Sequence, residues 1–194
     1  MKLPMTDTIK AKIKDSIATK ELLLNDDVLL AEFDALINAC LNSLKQGGKV
    51  IFCGNGGSFA DAQHLSAEFT ARFEKERRSL PSLALGTNSS TLSAIGNDYG
   101  FEYIFSRELD SIASADDVFI AISTSGNSKN VVEAVKVANE KGIKTWGWTG
   151  KGAGKMESLC PTIQIPSNNT ARIQECHILL GHILCGQVEE RYFS

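Results

Sequence analysis

His64 and Glu68 are the first residues of this 194-residue sequence whose types and spacing suggest chemistry. They are four positions apart, so on a helix both side chains project from one face, a turn apart. An imidazole and a carboxylate placed in this way can hold a metal ion together. An isolated pair of this kind is more often a surface contact, so a metal site needs further ligands.

Further ligands are available near the end of the sequence, in Arg172-Ile173-Gln174-Glu175 and at His182. Gln174 and His182 are eight residues apart, about 12 Å along a straight helix, which is too far for both to reach one ion easily. Either the helix bends or the two side chains serve different copies of the site. A site shared across a subunit interface is the simplest hypothesis. We interpret His177 as a hydrogen-bonded residue inside the helical core.

Two loops contain residue types that bind anions. The first, Gly54-Asn55-Gly56-Gly57-Ser58, joins a predicted strand to a predicted helix. Glycine permits positive φ, and the amino end of a helix offers free N–H groups and a favourable dipole, so the loop can hold a charged or hydroxyl-rich ligand. A tight turn without a ligand explains the glycines equally well.

The second loop, Ser123-Thr124-Ser125-Gly126-Asn127-Ser128, is the better phosphate candidate. Its four hydroxyls can donate to phosphate oxygens without adding charge. A helix cap by Ser125 or Ser128 is the alternative, but a cap needs one hydroxyl. Neither loop is followed by the acidic residue of a dinucleotide-binding fingerprint, which makes a Rossmann site an unlikely interpretation.

Alternating strands and helices must position these loops. Short apolar runs predict five central strands, at Val50–Cys53, Leu83–Leu85, Val118–Ile122, Thr145–Trp148 and Ile163–Ile165. Helical patterns between and around them predict helices at Thr6–Leu24, Asn25–Gln46, Ala60–Phe73, Tyr99–Ile112, Lys129–Lys141 and Thr170–Phe193. The alternation is typical of an α/β protein with a doubly wound parallel sheet, in which ligands bind beyond the carboxyl ends of the strands.

Composition narrows the class of protein. The length suits one domain, and 20 basic against 23 acidic residues give no general attraction to nucleic acid or anionic lipid. The five cysteines form no CxxC pair and are expected to be reduced core thiols, as in the cytosol. We expect no signal peptide, because the first twenty residues carry frequent charges.

These motifs, taken together, resemble the phosphoheptose isomerase family of the sugar isomerase (SIS) group. The segments that carry the resemblance are Gly54–Ser58, Ala60–His64 with Glu68, Ser123–Asn130, and Arg172–Glu175 with His182. The resemblance covers nearly the whole chain. It implies a single SIS domain over residues 1–194, with a three-layer, doubly wound, five-stranded parallel sheet. It also implies an N-terminal helical extension, residues 1–46, that takes part in oligomer packing.

The resemblance further implies conversion of sedoheptulose 7-phosphate to D-glycero-D-manno-heptose 7-phosphate, for the heptose of bacterial surface glycans. The family is cytosolic and homotetrameric, with sites at subunit interfaces. One zinc ion per subunit would be held by His64, Glu68, Gln174 and His182. The substrate-binding positions would be Asn55, Gly56, Gly57, Ser58, Glu68, Arg72, Asn97, Asp98, Ser123, Thr124, Ser125, Ser128 and Gln174.

The catalytic pair implied by the resemblance is Glu68 and His182. Aldose–ketose exchange moves a proton between two carbons through an enediol, so it needs a base at carbon and an acid at oxygen. We assign Glu68 as the base and His182 as the acid, with zinc polarising the oxygens. One departure concerns a sugar hydroxyl, because many relatives have an acidic residue just before the motif that begins at Arg172, where this sequence reads Asn168-Asn169-Thr170-Ala171.

Two other functions fit the same fold. One relative of the family binds the bacterial replication initiator protein and has no known isomerase chemistry. That relative lacks the residues corresponding to Glu68 and His182, so the isomerase is favoured here. A sugar-phosphate-sensing module of a transcriptional regulator ranks last, because this chain has no room for a DNA-binding domain.

Overall fold

The computed structural model describes residues 5–194, and it begins with two helices, α1 (Met5–Leu24) and α2 (Asp27–Lys45). The Asp26 carboxylate accepts a hydrogen bond from the Leu29 amide and caps α2. Gly47 has a φ of +88° and ends the helical segment. Residues 1–4 of the predicted N-terminal extension lie outside the described residues.

Five parallel strands form one sheet with the order β2-β1-β3-β4-β5. They are β1 (Val50–Gly54), β2 (Ser82–Ala84), β3 (Val118–Ile122), β4 (Lys144–Thr149) and β5 (Thr162–Gln164). Every residue of β1 and β3 is buried, which explains why these strands appear in the sequence as continuous apolar runs. The predicted doubly wound α/β fold is confirmed.

Helices cover both faces of the sheet. The remaining α-helices are α3 (Gly57–Thr70), α4 (Ser89–Asp98), α5 (Ile104–Ile112), α6 (Lys129–Glu140) and α7 (Thr170–Tyr192). One part of the core lies between the sheet and α2, α3 and α7, and the other part lies between the sheet and α5 and α6. The three-layer arrangement that the sequence predicts is therefore present.

The predicted helix at Tyr99–Ile112 is wrong at its beginning. Gly100 has a φ of +106°, which breaks the helix, and a 3₁₀ turn at Phe101–Tyr103 precedes α5. Helix α4 was not predicted, because none of its ten residues is buried and only Leu92 and Ile95 pack against the core. The structure also contains an unpredicted 3₁₀ helix at Gly154–Ser158.

The cysteines agree with the expectation of unpaired thiols. Cys40, Cys53, Cys176 and Cys185 are buried and Cys160 is half-buried, and none forms a disulfide. Burial raises the pKa of the Cys160 thiol to about 11, so this thiol is protonated at neutral pH. No helix within residues 5–194 has the length and apolar character needed to cross a membrane.

Candidate active site

The two anion-binding loops lie side by side at the carboxyl edge of the sheet. Strands β1 and β3 are neighbours, and their last residues, Gly54 and Ile122, are paired in register. The chain leaves β1 through Gly56, whose φ of +55° is readily available to glycine, and then enters α3. The glycine loop and the serine loop therefore open in the same direction, as expected for a ligand site in a parallel sheet.

A pair of side-chain amides joins the two loops. Asn55 Nδ2 donates to Asn130 Oδ1 at 2.8 Å, and Asn130 Nδ2 donates back to Asn55 Oδ1 at 2.8 Å. Asn130 is 2% exposed, and its Oδ1 also accepts from the Val131 amide. The reciprocal bonds fix the spacing of the loops. Asn130 belongs to the Ser123–Asn130 motif, but its role could not be read from the sequence because its partner is 75 residues away.

The hydroxyls of the serine loop do not cap helix α6. Ser128 is the N-cap residue, yet its side chain makes no capping hydrogen bond. Its Oγ lies 2.9 Å from Ser123 Oγ, and Ser125 Oγ accepts from the Asn127 amide. The capping alternative therefore fails for Ser128. Thr124 and Ser125 also line a polar cleft with Lys151 and other residues.

Close backbone packing fixes the shape of the serine loop. Gly126 has a φ of +64°, and a Cβ added there would lie 1.7 Å from the carbonyl oxygen of Ala153. Only glycine fits this position without moving the neighbouring loop. Asn127 also ties the serine loop to the neighbouring loop that contains Ala153, because its Oδ1 accepts a hydrogen bond from the Lys155 amide.

His64, Glu68 and His182 form one cluster within a single chain. Their ligand atoms all lie within 4.8 Å of one another. Glu68 Oε1 is 2.9 Å from His64 Nε2, and His182 Nε2 is 3.5 Å from the same nitrogen. His64 and Glu68, the pair that the sequence indicates on one helix, are thus joined by His182, which is 118 positions from His64.

The close packing of α3 on α7 brings the three residues together. A Cβ added at Gly181 would lie 2.4 Å from the Leu65 side chain, so the absence of a side chain at Gly181 allows the helices to approach. His64 directly precedes Leu65 and His182 directly follows Gly181. The two imidazoles therefore face each other, with ring centroids 5.1 Å apart. Two residues that carry no chemistry therefore set the geometry of the cluster.

Gln174 lies at a different level of the same two helices. Its side-chain amide packs against Gly57, and Gln174 Nε2 lies 2.5 Å from the position that a Cβ added at Gly57 would take. The helices run parallel, since Gly57 faces Gln174 while Leu65 faces Gly181. Gln174 and His182 are thus separated by about 12 Å along α7, and within one chain Gln174 lies beside the glycine loop, away from His64.

The cluster has a donor set and spacing that fit a zinc ion. Two nitrogens bound to a tetrahedral zinc at about 2.1 Å would lie about 3.4 Å apart. The 3.5 Å separation of the two Nε2 atoms matches that distance. Two imidazole nitrogens and a carboxylate oxygen are also ligands that zinc commonly takes. His64, Glu68 and His182 can therefore hold the metal that the resemblance implies.

Three other predicted substrate residues lie on exposed parts of the structure. Asn97 and Asp98 form the end of α4 and are bonded to each other, with Asn97 Nδ2 2.8 Å from Asp98 Oδ1. Arg72 follows α3, and its Nε lies 3.4 Å from Glu76. Ser58, by contrast, is buried in the first turn of α3. Within the chain described, these four residues do not join the His–Glu–His cluster.

Asp61 is an acidic residue near the cluster that was not predicted as a site residue. It precedes His64 by three positions, so both lie on one face of α3. Burial raises the pKa of its carboxyl group, and the nearby His64 and His182 imidazoles partly oppose that rise. The spacing of three residues from His64 was the signal in the sequence.

Comparisons with known proteins agree with the fold. The sequence matches the SIS domain family over residues 20–150. The phosphoheptose isomerase of Aneurinibacillus thermoaerophilus is 49% identical over 190 residues, covering 97% of this chain and 96% of that protein. The phosphoheptose isomerase of Rhodospirillum rubrum is 54% identical over 166 residues, covering 85% and 87%.

A solved structure supports the same assignment. Phosphoheptose isomerase GmhA from Neisseria gonorrhoeae has a TM-score of 0.89 and 39% identity, covering 96% of this chain and 100% of that one. The fold and the matched domain define a SIS-domain protein. Within that class, the chain belongs to the phosphoheptose isomerase family.

Proposed function

We propose that this protein converts sedoheptulose 7-phosphate to D-glycero-D-manno-heptose 7-phosphate for heptose biosynthesis. The family membership supports this aldose–ketose isomerase activity. The single observation that carries the proposal is the meeting of the Glu68 carboxylate and the His182 imidazole in one cluster. A base and an acid are the two groups that this reaction needs.

Glu68 is the base in the proposed mechanism. It removes a proton from C1 of the ketose while His182 protonates the carbonyl oxygen at C2, which gives the enediol. Return of the carbon proton to C2 and loss of the proton from the C1 hydroxyl give the aldose. The ligand atoms of the carboxylate and the imidazole lie within 4.8 Å of each other, so both can act on adjacent substrate atoms.

The serine loop anchors the phosphate. Ser123, Thr124, Ser125 and Ser128 supply hydroxyls at the amino end of α6, where the helix dipole favours an anion. The glycine loop, with Asn55, Gly56, Gly57 and Ser58, holds the sugar chain. We assign the remaining substrate contacts to Arg72, Asn97, Asp98 and Gln174, some of them in a neighbouring subunit.

Zinc is part of the proposal. When bound, it supplies a Lewis acid that polarises substrate oxygens. His64, Glu68 and His182 of one chain are its proposed ligands, and Gln174 completes the set from another copy of the site. A Glu68 carboxylate bound to a cation is a weaker base, because the cation stabilises its charged form. The metal is therefore assigned to ordering the site as much as to the proton transfer.

We also propose that the protein is a cytoplasmic homotetramer of a single SIS domain. Ile9, Ile13 and Ile17 are each at least 50% exposed and form one apolar face of α1. Such a face on the N-terminal extension is suited to packing against other copies of the chain. Sites at subunit interfaces are part of the proposal, and they are supported by Arg172 and Glu175 of α7, which border the same groove as this face.

The test is an isomerase assay with sedoheptulose 7-phosphate, following the loss of ketose. We expect Glu68→Gln and His182→Ala to lower kcat/KM by about 10²- to 10⁴-fold, because each removes one proton-transfer group. Glu140→Gln on the exposed surface of α6 is the matched control and should leave the activity unchanged. Equal activity in all four proteins would contradict the catalytic assignment.

A chelator separates the acid–base pair from the metal. If a chelator leaves the wild-type rate intact while both variants are inactive, the acid–base pair stands and an essential metal is excluded. The non-catalytic alternative, binding of a replication initiator protein, predicts no turnover in the wild type. The convergence of Glu68 and His182 favours the enzyme over that alternative.

A further inference from the structure

Arg77 and Glu189 form a buried ion pair behind the candidate active site. Their side chains are 3% and 1% exposed, and Arg77 Nε lies 2.7 Å from Glu189 Oε1. Arg77 belongs to the segment that joins α3 to β2, and Glu189 lies near the end of α7. A buried ion pair adds little net stability by itself, because desolvation offsets the attraction. The hydrogen bonds around the pair are therefore more informative than the pair alone.

Glu189 holds the segment after α3 through its backbone. Its carboxylate accepts hydrogen bonds from three successive amides, those of Phe73, Glu74 and Lys75, at 2.8 to 3.0 Å. With the Arg77 guanidinium, four donors converge on one carboxylate. A carboxylate satisfied in this way fixes the path of the backbone around it, since any shift breaks several bonds at once.

Arg77 holds the turn of α3 that carries Glu68. Its Nη2 donates to the Glu68 carbonyl oxygen at 2.7 Å, and its Nη1 donates to the Phe69 carbonyl oxygen at 2.8 Å. Helix α3 ends at Thr70, so these carbonyls belong to its last turn, where backbone partners run out. The guanidinium thus acts as a C-terminal cap on the turn that bears the proposed base.

The segment that Glu189 fixes also contacts the proposed acid. The Phe73 ring is stacked on the His182 imidazole, with centroids 5.6 Å apart and planes 18° apart. The ring also lies 3.5 Å from a Cβ added at Gly186, so it fits closely against α7. Phe73 therefore forms one wall of the position that the imidazole occupies.

We propose that Glu189, together with Arg77, is a positioning residue for the Glu68–His182 pair. The ion pair holds the last turn of α3 around Glu68 and the Phe73 ring against His182. Glu189 and His182 are seven residues apart, two turns of one helix, so α7 carries both the imidazole and the group that fixes its neighbour. The inference rests on the proposed function of Glu68 and His182. Neither Arg77 nor Glu189 touches reacting atoms.

The test compares Glu189→Gln with a matched change at Asp117, using the metal-loaded protein. Asp117 is a buried carboxylate, 1% exposed, that pairs with Lys49 at 2.7 Å. It also accepts from the amides of Lys49 and Ser114. Lys49 directly precedes β1 and Asp117 directly precedes β3. These contacts therefore lie at the amino ends of the strands, whereas the site lies at the carboxyl ends. Asp117→Asn therefore removes a similar ion pair without reaching the site.

We expect Glu189→Gln to lower kcat by about ten- to a hundred-fold while KM changes by less than about two-fold, because orientation of the pair is lost but substrate contacts are kept. Zinc affinity, measured by competition with a chelator, should fall about ten-fold, as for other residues that orient metal ligands. Asp117→Asn should lower the melting temperature but leave kcat and zinc affinity at wild-type values.

Phe73→Leu supplies a second variant in case Glu189→Gln does not fold. It removes the stacked ring without disturbing the ion pair, and it should lower kcat in the same direction. Glu189→Asp should recover part of the loss, whereas Arg77→Lys should not, because lysine lacks the planar fork that reaches several carbonyls.

The outcomes separate the two proposals. Wild-type kcat and zinc affinity in both Glu189→Gln and Phe73→Leu would overturn the positioning role while leaving the isomerase intact. An equal loss of kcat in Asp117→Asn would also overturn it, since general destabilisation would then explain the effect. An inactive wild type contradicts the proposed isomerase, and zinc affinity then decides the positioning role. A wild type with neither turnover nor zinc binding contradicts both.

Discussion

Acid should destabilise this protein through His177, a buried histidine outside the proposed chemistry. Its imidazole is fully buried on α7, with Nε2 3.2 Å from the carbonyl oxygen of Thr149. Burial lowers the pKa of His177 from 6.5 to about 4, and the bond to Thr149 opposes that change only in part. The group is therefore neutral in the folded protein at pH values where it is charged in the unfolded chain.

The sign of the effect follows from the two pKa values. The folded protein binds this proton less readily than the unfolded chain, so protonation favours unfolding. Stability from the neutral imidazole is complete above pH 6.5 and is lost as the pH falls toward about 4. The pKa difference of about 2.5 corresponds to about 3 kcal/mol at about 1.4 kcal/mol per unit. About 2 kcal/mol of it is lost between pH 7 and pH 5.

The assay is thermal unfolding at pH 7 and pH 5, comparing wild type with His177→Gln. For a chain of this size, about 2 kcal/mol corresponds to about 4–8 °C in melting temperature. We expect the wild type to lose that much more than the variant, whose amide can still donate to Thr149. All samples should contain a chelator and the same protein concentration, since metal binding and assembly also change the melting temperature.

Two results would refute this reasoning. An equal fall in melting temperature for wild type and His177→Gln would show that the buried imidazole is not the source of the pH dependence. An NMR titration that places the pKa of His177 near 6.5 would show that the ring is solvated or charged in the folded protein. Either result would remove the interpretation of His177 as a neutral core residue.

Three further predictions follow from the structure. Gly126→Ala should raise KM for the sugar phosphate and lower stability by about 1–3 kcal/mol, because the added methyl meets Ala153 and φ is positive; kinetics and thermal unfolding check both. Gly181→Ala should weaken zinc binding by moving α3 off α7, and adding Leu65→Ala should restore part of the affinity. Burial raises the pKa of the Glu189 carboxyl, but its amide and Arg77 bonds outweigh burial and hold it below 4.5. Stability from this group is present above pH 4.5 and is lost as the pH falls further, so Glu189→Gln should show a smaller loss in acid melting curves.

Much of the fold could be predicted from local sequence, because buried parallel strands need continuous apolar runs and helices need periodic ones. Helix α4 escaped prediction because its apolar face is narrow, with only Leu92 and Ile95 packed against the core. Asn88 caps it by accepting from the amides of Ser90 and Thr91, and no residue of the helix is buried. A capping asparagine followed by two serines was the local signal, but with so few apolar residues behind it this signal did not distinguish a helix from a loop.

Only the part of the site that lies on one helix could be predicted from local spacing. Spacing on one helix revealed His64 and Glu68, whereas the approach of His182 depends on Gly181 packing on Leu65, a contact between distant parts of the chain. The residues that support the site were missed for the same reason. Arg77 and Glu189 are 112 positions apart with no sequence pattern that links them, and only the folding of the chain brings them together.

The segment Arg172-Ile173-Gln174-Glu175 shows why a short motif is difficult to interpret residue by residue. Successive residues of a helix are rotated by about 100°, so Gln174 points away from Arg172 while Glu175 lies near it. Gln174 faces Gly57 and the glycine loop. Arg172 donates to the carbonyl oxygen of Lys12, and Glu175 accepts from Ser16, so both face α1. One turn of α7 therefore joins the proposed substrate site to the helix that carries the exposed apolar face, and a change in the packing of α1 acts on the turn that holds Gln174.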